Sequence, residues 1–387
     1  VKRGGASLRV VAASLAVILV GAVDESSANR ILVPEEASLS SAIDMSAAGD
    51  TLSLAPGTYE RTPDPFIKSI VIEGRTPEDP PLLRYLEAGG VTLRHLHFEP
   101  DGPGGSNLVL LRILDSVQIE DCLFRGFGST AVEFRDDGSD HDWILTVKDC
   151  RFVDLNVGVH AELFRDGSHL LLTDSLFEMS FTGIRLLTPA RACPAIPDPA
   201  PPPLGKGPAR IMISGTEFSN MTDVAIEARN AAWAVDLSGV VINASPLGIR
   251  LERAGARIDQ LDLRGISGST GIRAISSRLE MTRSRVYQHA VGIEMTNGGE
   301  CEHPAGVIGG TLAGSNGLDT NTLGLTTTLS VDADYNWWGT LICSEAQEFT
   351  QGVTLRFLAN ATGTEFVDCR TPVVPTTWSL IKARSAP

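Results

Sequence analysis

Short segments that alternate between aliphatic and polar positions recur along most of this chain, each opening on glycine or alanine. They read Ala131-Val132-Glu133-Phe134, Gly158-Val159-His160-Ala161, Gly183-Ile184-Arg185-Leu186, Ala225-Ile226-Glu227-Ala228, Gly248-Ile249-Arg250-Leu251, Gly271-Ile272-Arg273-Ala274 and Gly292-Ile293-Glu294-Met295. A period of two predicts strands. Successive copies are offset by 27, 25, 42, 23, 23 and 21 residues. A second apolar marker precedes each copy, at Phe124, Phe152, Phe177, Phe218, Ile242, Ile266 and Val286. Two ladders held in step predict a solenoid, with each aliphatic side chain lying over its counterpart in the next coil. Leucine-rich repeats have units of similar length, but their leucine-dense strand with a following asparagine is missing here. Small residues at the corners favour coils made of strands.

Helical spacing is clearest near the N-terminus, where Leu39, Ala42, Ile43 and Ser46 recur behind Ser38 as N-cap. Ala48-Gly49-Asp50 breaks the run, Thr51–Leu54 alternates as a strand, and Pro56-Gly57 turns it. One short helix and one strand are too little for a domain. They make sense as a lid over the open end of a strand stack that begins with Thr51–Leu54. Together with Ile31-Leu32-Val33-Pro34, this stretch resembles the N-terminal cap of secreted right-handed parallel β-helix proteins, the pectin-lyase-like superfamily. The repeats extend the resemblance over residues 91–300, and Asn336-Trp337-Trp338-Gly339 is similar to the Asn-x-Trp-Gly segment near the C-terminal end of many such proteins. The expected fold is all-β, a right-handed parallel β-helix with a short N-terminal capping helix.

Composition divides the chain further. Residues 1–28 read as a signal peptide, with Lys2, Arg3 and Arg9 ahead of an apolar run and Ser26-Ser27-Ala28 at its end. Residues 29–60 form the cap and first strand, 61–340 the coils, 341–371 a closing segment and 372–387 an exposed tail. Within the coils, 188–208 is an insertion holding eight prolines, which cannot join a sheet. A secreted or periplasmic bacterial protein follows, with no membrane insertion after signal cleavage. Its net charge of −15 argues against a nucleic-acid partner. Six cysteines in an exported chain suggest disulfides. Cys122 and Cys150 occupy equivalent places in adjacent repeats, as a bridge or as stacked reduced thiols; Cys193, Cys301, Cys343 and Cys369 lie in irregular segments.

Two constellations carry candidate chemistry. The polar position of the repeated strand forms a row, Glu133, His160, Arg185, Glu227, Arg250, Arg273 and Glu294. The superfamily resemblance implies that this strand lines a substrate groove, and Arg185, Arg250 and Arg273 suit the carboxylates of an acidic polysaccharide. The plain alternative is a solvated face whose mixed charges relieve like-charge stacking. The second constellation joins Asp136, Asp137, Asp140 and Asp142 to Asp166 of the following coil, hard oxygen ligands that suit Ca²⁺. No other cofactor is indicated, and Asp-Gly and Ser are also ordinary turn chemistry. No catalytic residue is assigned: mannuronan epimerases of the superfamily carry Asp-Pro-His-Asp, and Ser139-Asp140-His141-Asp142 lacks the proline. The reading is an exported glycan- or surface-binding scaffold without catalysis. Its alternatives are a polysaccharide lyase or glycoside hydrolase of pectin-lyase type, and a periplasmic partner in metalloenzyme maturation.

Overall fold

The computed structural model describes residues 28–33, 38–59, 64–101, 109–135, 142–163, 168–187, 210–230, 234–298, 306–308, 316–318, 320–327, 331–332, 336, 350–351, 356–358 and 366–368. The signal segment, the proline-rich insertion, the tail, Trp337-Trp338-Gly339 and the four other cysteines fall outside them. Each complete coil gives one strand to each of three sheets. Val117–Glu120, Leu123–Arg125 and Thr130–Arg135 pair in parallel with Ile144–Lys148, Arg151–Val153 and Val157–Glu162 of the next turn. Repetition of this step builds parallel sheets of 13, 12 and 10 strands among the described residues, a parallel β-solenoid. An antiparallel pair, Arg356–Leu358 with Phe366–Asp368, stands apart from these sheets.

Both predicted ladders are inside. Leu111, Val132, Val159, Ile184, Ile226, Ile249, Ile272, Ile293 and Leu325 follow one another in register. The aromatic ladder starts a coil earlier than the sequence suggested, at Phe98. Its rings stack face to face, with centroids 4.7 Å apart for Phe98–Phe124, 5.0 Å for Phe124–Phe152, 4.3 Å for Phe152–Phe177 and 4.8 Å for Phe177–Phe218. One expected member is corrected: Leu263 pairs with Ile242 and Val286, while Ile266 is 41% exposed. The turn after Leu263 is longer, looping out around Gly268 at φ 81°, so the nearer isoleucine is carried to the surface. The glycine of the repeat also has a cause. A Cβ on Gly183 would lie 2.6 Å from Ala225 O and 2.7 Å from the Phe218 ring, so the ladder packs into the space its absence leaves.

The cap is as anticipated, with one change. Helix α1 spans Leu39–Met45, the Ser38 hydroxyl accepts from Ser41 N–H, and Leu39, Ala42 and Ile43 are buried against the first coils. At its other end the Lys68 ammonium donates to the carbonyls of Ile43, Asp44 and Ser46, where a cation suits the helix dipole. The sheet begins one strand earlier than Thr51–Leu54, because Arg30–Val33 pairs with it in parallel. The hydrophobic Ile31-Leu32-Val33 run is thus sheet as well as cap.

Corners are left-handed. His95, Asp121, Asp149 and Asp174 hold φ between 50° and 52°, a region that short polar side chains tolerate. Just after them the chain turns inward, and a polar ladder forms there. Ser175 Oγ accepts from Cys150 N–H and donates to Thr173 O. Farther on, Asn316 accepts from Ser284 N–H and donates to Asn336 Oδ1 at 2.9 Å. Asn336 of the Asn-Trp-Trp-Gly segment is therefore a buried rung of the corner. Cys122 and Cys150 are buried free thiols of that row, so no disulfide joins them. Burial, with Cys150 beside it, pushes the Cys122 thiol well up and leaves it unreactive.

His289 fills the other inner corner, 3% exposed, with Nδ1 2.8 Å from Ser269 Oγ. Burial pushes its pKa down to about 4 from 6.5. The unfolded chain therefore binds the extra proton within that window. Stability is full above the unfolded value and falls with pH toward the folded one, by about 3 kcal/mol in all. Asn321 holds the same place one coil on, its Oδ1 accepting from His289 N–H. His289→Asn should flatten the loss of urea midpoint between neutral pH and pH 5. An unchanged slope in that variant would place the acid sensitivity elsewhere.

Candidate functional site

The predicted polar row lies on the outer face of the 12-stranded sheet in unbroken register. Glu87, Arg112 and Glu133 precede His160, Arg185 and Glu227, and Arg250, Arg273 and Glu294 continue it. Its first part is a balanced ladder. Arg112 reaches Glu133 at 2.6 Å and Glu87 at 3.0 Å, and the Glu133 hydrogen bond holds its guanidinium above the usual range. His160 Nε2 lies 3.3 Å from Glu162.

Beyond Arg185 the arrangement changes. Glu227 is 3% exposed, although its place in the row predicted a water-facing residue. Three arginines close over it: Arg185 at 2.9 Å, Arg229 through a 2.8 Å hydrogen bond and Arg250 at 3.7 Å. Burial acts to raise its pKa, but the hydrogen bonds from Arg229 and Arg185 outweigh it and hold the carboxyl below the ordinary value. A second row, two residues farther along each strand, supplies the missing partners, with Arg229 in register with Glu252. Glu252 in turn lies 3.3 Å from Arg250, 3.7 Å from Arg253 and 3.8 Å from Arg229. Arg273 pairs with Glu294 at 2.6 Å. Sequence reasoning stopped one alternation short of Arg229 and Glu252, yet the period that placed Glu227 and Arg250 also places them.

The face consequently changes sign along the solenoid. Among the described residues, Glu87, Glu133 and Glu162 outnumber Arg112 and Arg135 by one negative charge. On the following coils Arg185, Arg229, Arg250, Arg253 and Arg273 outnumber Glu227, Glu252 and Glu294 by two positive charges. Arg250 has the loosest contacts of the row arginines, and its buried Nε meets no hydrogen-bond acceptor. An oxyanion placed over it would find a guanidinium edge ready to donate.

The expected Ca²⁺ ligands are mostly beyond reach. Asp136, Asp137, Asp140 and Asp166 lie outside the described residues, and Asp142 is exposed. The strands that lead into those two loops end side by side, Arg135 in register with Glu162. Among the described residues no group of three or more metal-ligating side chains forms, and no helix is long and apolar enough to cross a membrane.

No family model matches the chain, and no curated protein matches its sequence. Solved structures share its architecture at low identity. A periplasmic alginate epimerase is 11% identical over 75% of each chain, with a TM-score of 0.33. A mannuronic acid specific polysaccharide family 6 lyase from human gut microbiota is 9% identical over 78% of this chain and 86% of its own, TM-score 0.34. An alginate lyase from a Paenibacillus species is 10% identical over 80% and 98%, TM-score 0.27. These likenesses concern architecture alone, and no site residue is carried over from them. With its three parallel sheets and stacked ladders, the chain has the parallel β-solenoid fold of pectin- and alginate-lyase-like proteins.

Proposed function

We propose that this chain binds an acidic polysaccharide along the 12-stranded sheet, over the coils from Arg185 to Arg273, as an exported scaffold. One observation carries the reading: four arginines, Arg185, Arg229, Arg250 and Arg253, share two carboxylates, Glu227 and Glu252. A face built only to be solvated balances its charges, as the Glu87–Arg112–Glu133 ladder does. Surplus guanidiniums repel one another, and an anionic ligand relieves that repulsion. The surplus lies on a protein of net charge −15, so it is local and deliberate in placement. Successive rungs stand about 4.8 Å apart, near the repeat of a sugar chain, so neighbouring coils meet neighbouring carboxylates.

Cleavage of the same polymer is the second reading. It is favoured by His160, whose imidazole is the register neighbour of Arg185. A uronate held by Arg185 would present its acidic ring proton toward a base, and β-elimination would then break the glycosidic bond and leave an unsaturated end. Titrating the protein with polymannuronate and polygalacturonate, with and without Ca²⁺, while following ultraviolet absorbance separates the readings. Binding without a rise in absorbance is expected. A rise makes the chain a lyase, and absence of binding to either polymer sinks both.

A further inference from the structure

We infer that the site is bounded: it takes a stretch of about four uronate units and does not accept a polyanion laid along the whole solenoid. This rests on the binding reading above. The positive surplus begins at Arg185 and ends at Arg273, whose guanidinium is already held by Glu294 at 2.6 Å. Those coils span three rungs, about 14 Å in all, which matches about three sugar repeats. Upstream the sign reverses. Glu162 stands on the coil before Arg185 and Glu133 on the coil before that, each in register with a row of the site. Glu133 holds Arg112 at 2.6 Å and Glu162 holds Arg135 at 2.9 Å. A polymer carboxylate continuing past Arg185 would lie over carboxylates at about one rung's distance, where like charges facing each other destabilise.

Downstream, Glu294 is followed in register by Thr326, which offers no charge. The solenoid thus supplies one cationic window rather than a track, and the bound polymer leaves the surface at both ends. The same face would bind chain ends and interior stretches of a polyuronate, provided that about four consecutive units are charged.

Calorimetric titration with di-, tetra-, hexa- and octauronates tests this. Affinity should rise at least tenfold from dimer to tetramer. From tetramer to octamer it should grow only with the number of registers available, about fivefold. Glu133→Gln with Glu162→Gln should lengthen the window, so that the octamer gains clearly more over the tetramer in that variant than in wild type. A constant multiplicative gain per added unit up to the octamer in wild type overturns the boundary while leaving the binding reading intact. Failure of every oligomer to bind overturns both.

Discussion

Phe152→Asp should abolish cooperative unfolding or leave the chain unable to fold. Phe152 is fully buried, its ring stacked between Phe124 at 5.0 Å and Phe177 at 4.3 Å. Loss of the ring costs about 3–5 kcal/mol. A carboxylate in its place meets no donor in an aliphatic core and adds several kcal/mol more. In a solenoid the coils depend on their neighbours, so damage at one rung uncouples the coils on either side. Phe127→Asp is the matched control, because that ring is 83% exposed. It should shift stability by no more than about 0.5 kcal/mol. Circular dichroism through a urea titration distinguishes them, and a wild-type transition in the Phe152 variant would contradict the ladder.

Glu227→Gln should be the most damaging change on the polar face. The amide keeps the shape but removes the charge on which Arg185, Arg229 and Arg250 converge. Loss of a fully buried partner costs about 3–5 kcal/mol, and the three arginines here keep some contact with water, so about 2–3 kcal/mol is expected at neutral pH. The sign of its pH dependence follows from the lowered carboxyl pKa. The stabilisation is present above the unfolded value of 4.5 and is lost as pH falls through the folded one. Variant and wild type should therefore converge in strong acid. A variant as stable as wild type at neutral pH would mean that the arginines hold their places without Glu227.

The fold was legible because its cause is periodic. A side chain such as Ile184 must lie over Val159 and under Ile226, and that demand writes itself into the chain at every turn. Register failed at one place, where Leu263 and Ile266 are both aliphatic and only the length of the Gly268 turn decides between them. The first strand, Arg30–Val33, was read only as part of the cap, since four residues before a helix carry no repeat of their own. Expected disulfides gave way at Cys122 and Cys150, where the corner row accepts a thiol, a serine or an asparagine alike.

The candidate face was legible in its polarity and not in its balance. Sequence placed Glu227 and Arg250 on one row, but burial of Glu227 depends on three long side chains folding over it from different strands. Such closure is set by rotamers and neighbours rather than by spacing. Arg250 is correspondingly less free than a lone surface arginine, being tied to Glu227 and Glu252. Its removal should therefore lower stability slightly as well as weaken binding.

The most direct test of the cationic window is calorimetry of polymannuronate on wild type, Arg250→Ala and Arg125→Ala. Arg250 lies inside the surplus with its Nε unfilled, whereas Arg125 is exposed on the 10-stranded sheet. Arg250→Ala should weaken binding by about 1–3 kcal/mol, the value of a charge-assisted contact. Arg125→Ala should bind as wild type does, and added salt should weaken wild type more than the Arg250 variant. Equal affinity in all three proteins would contradict the account and leave these arginines as a solvated face.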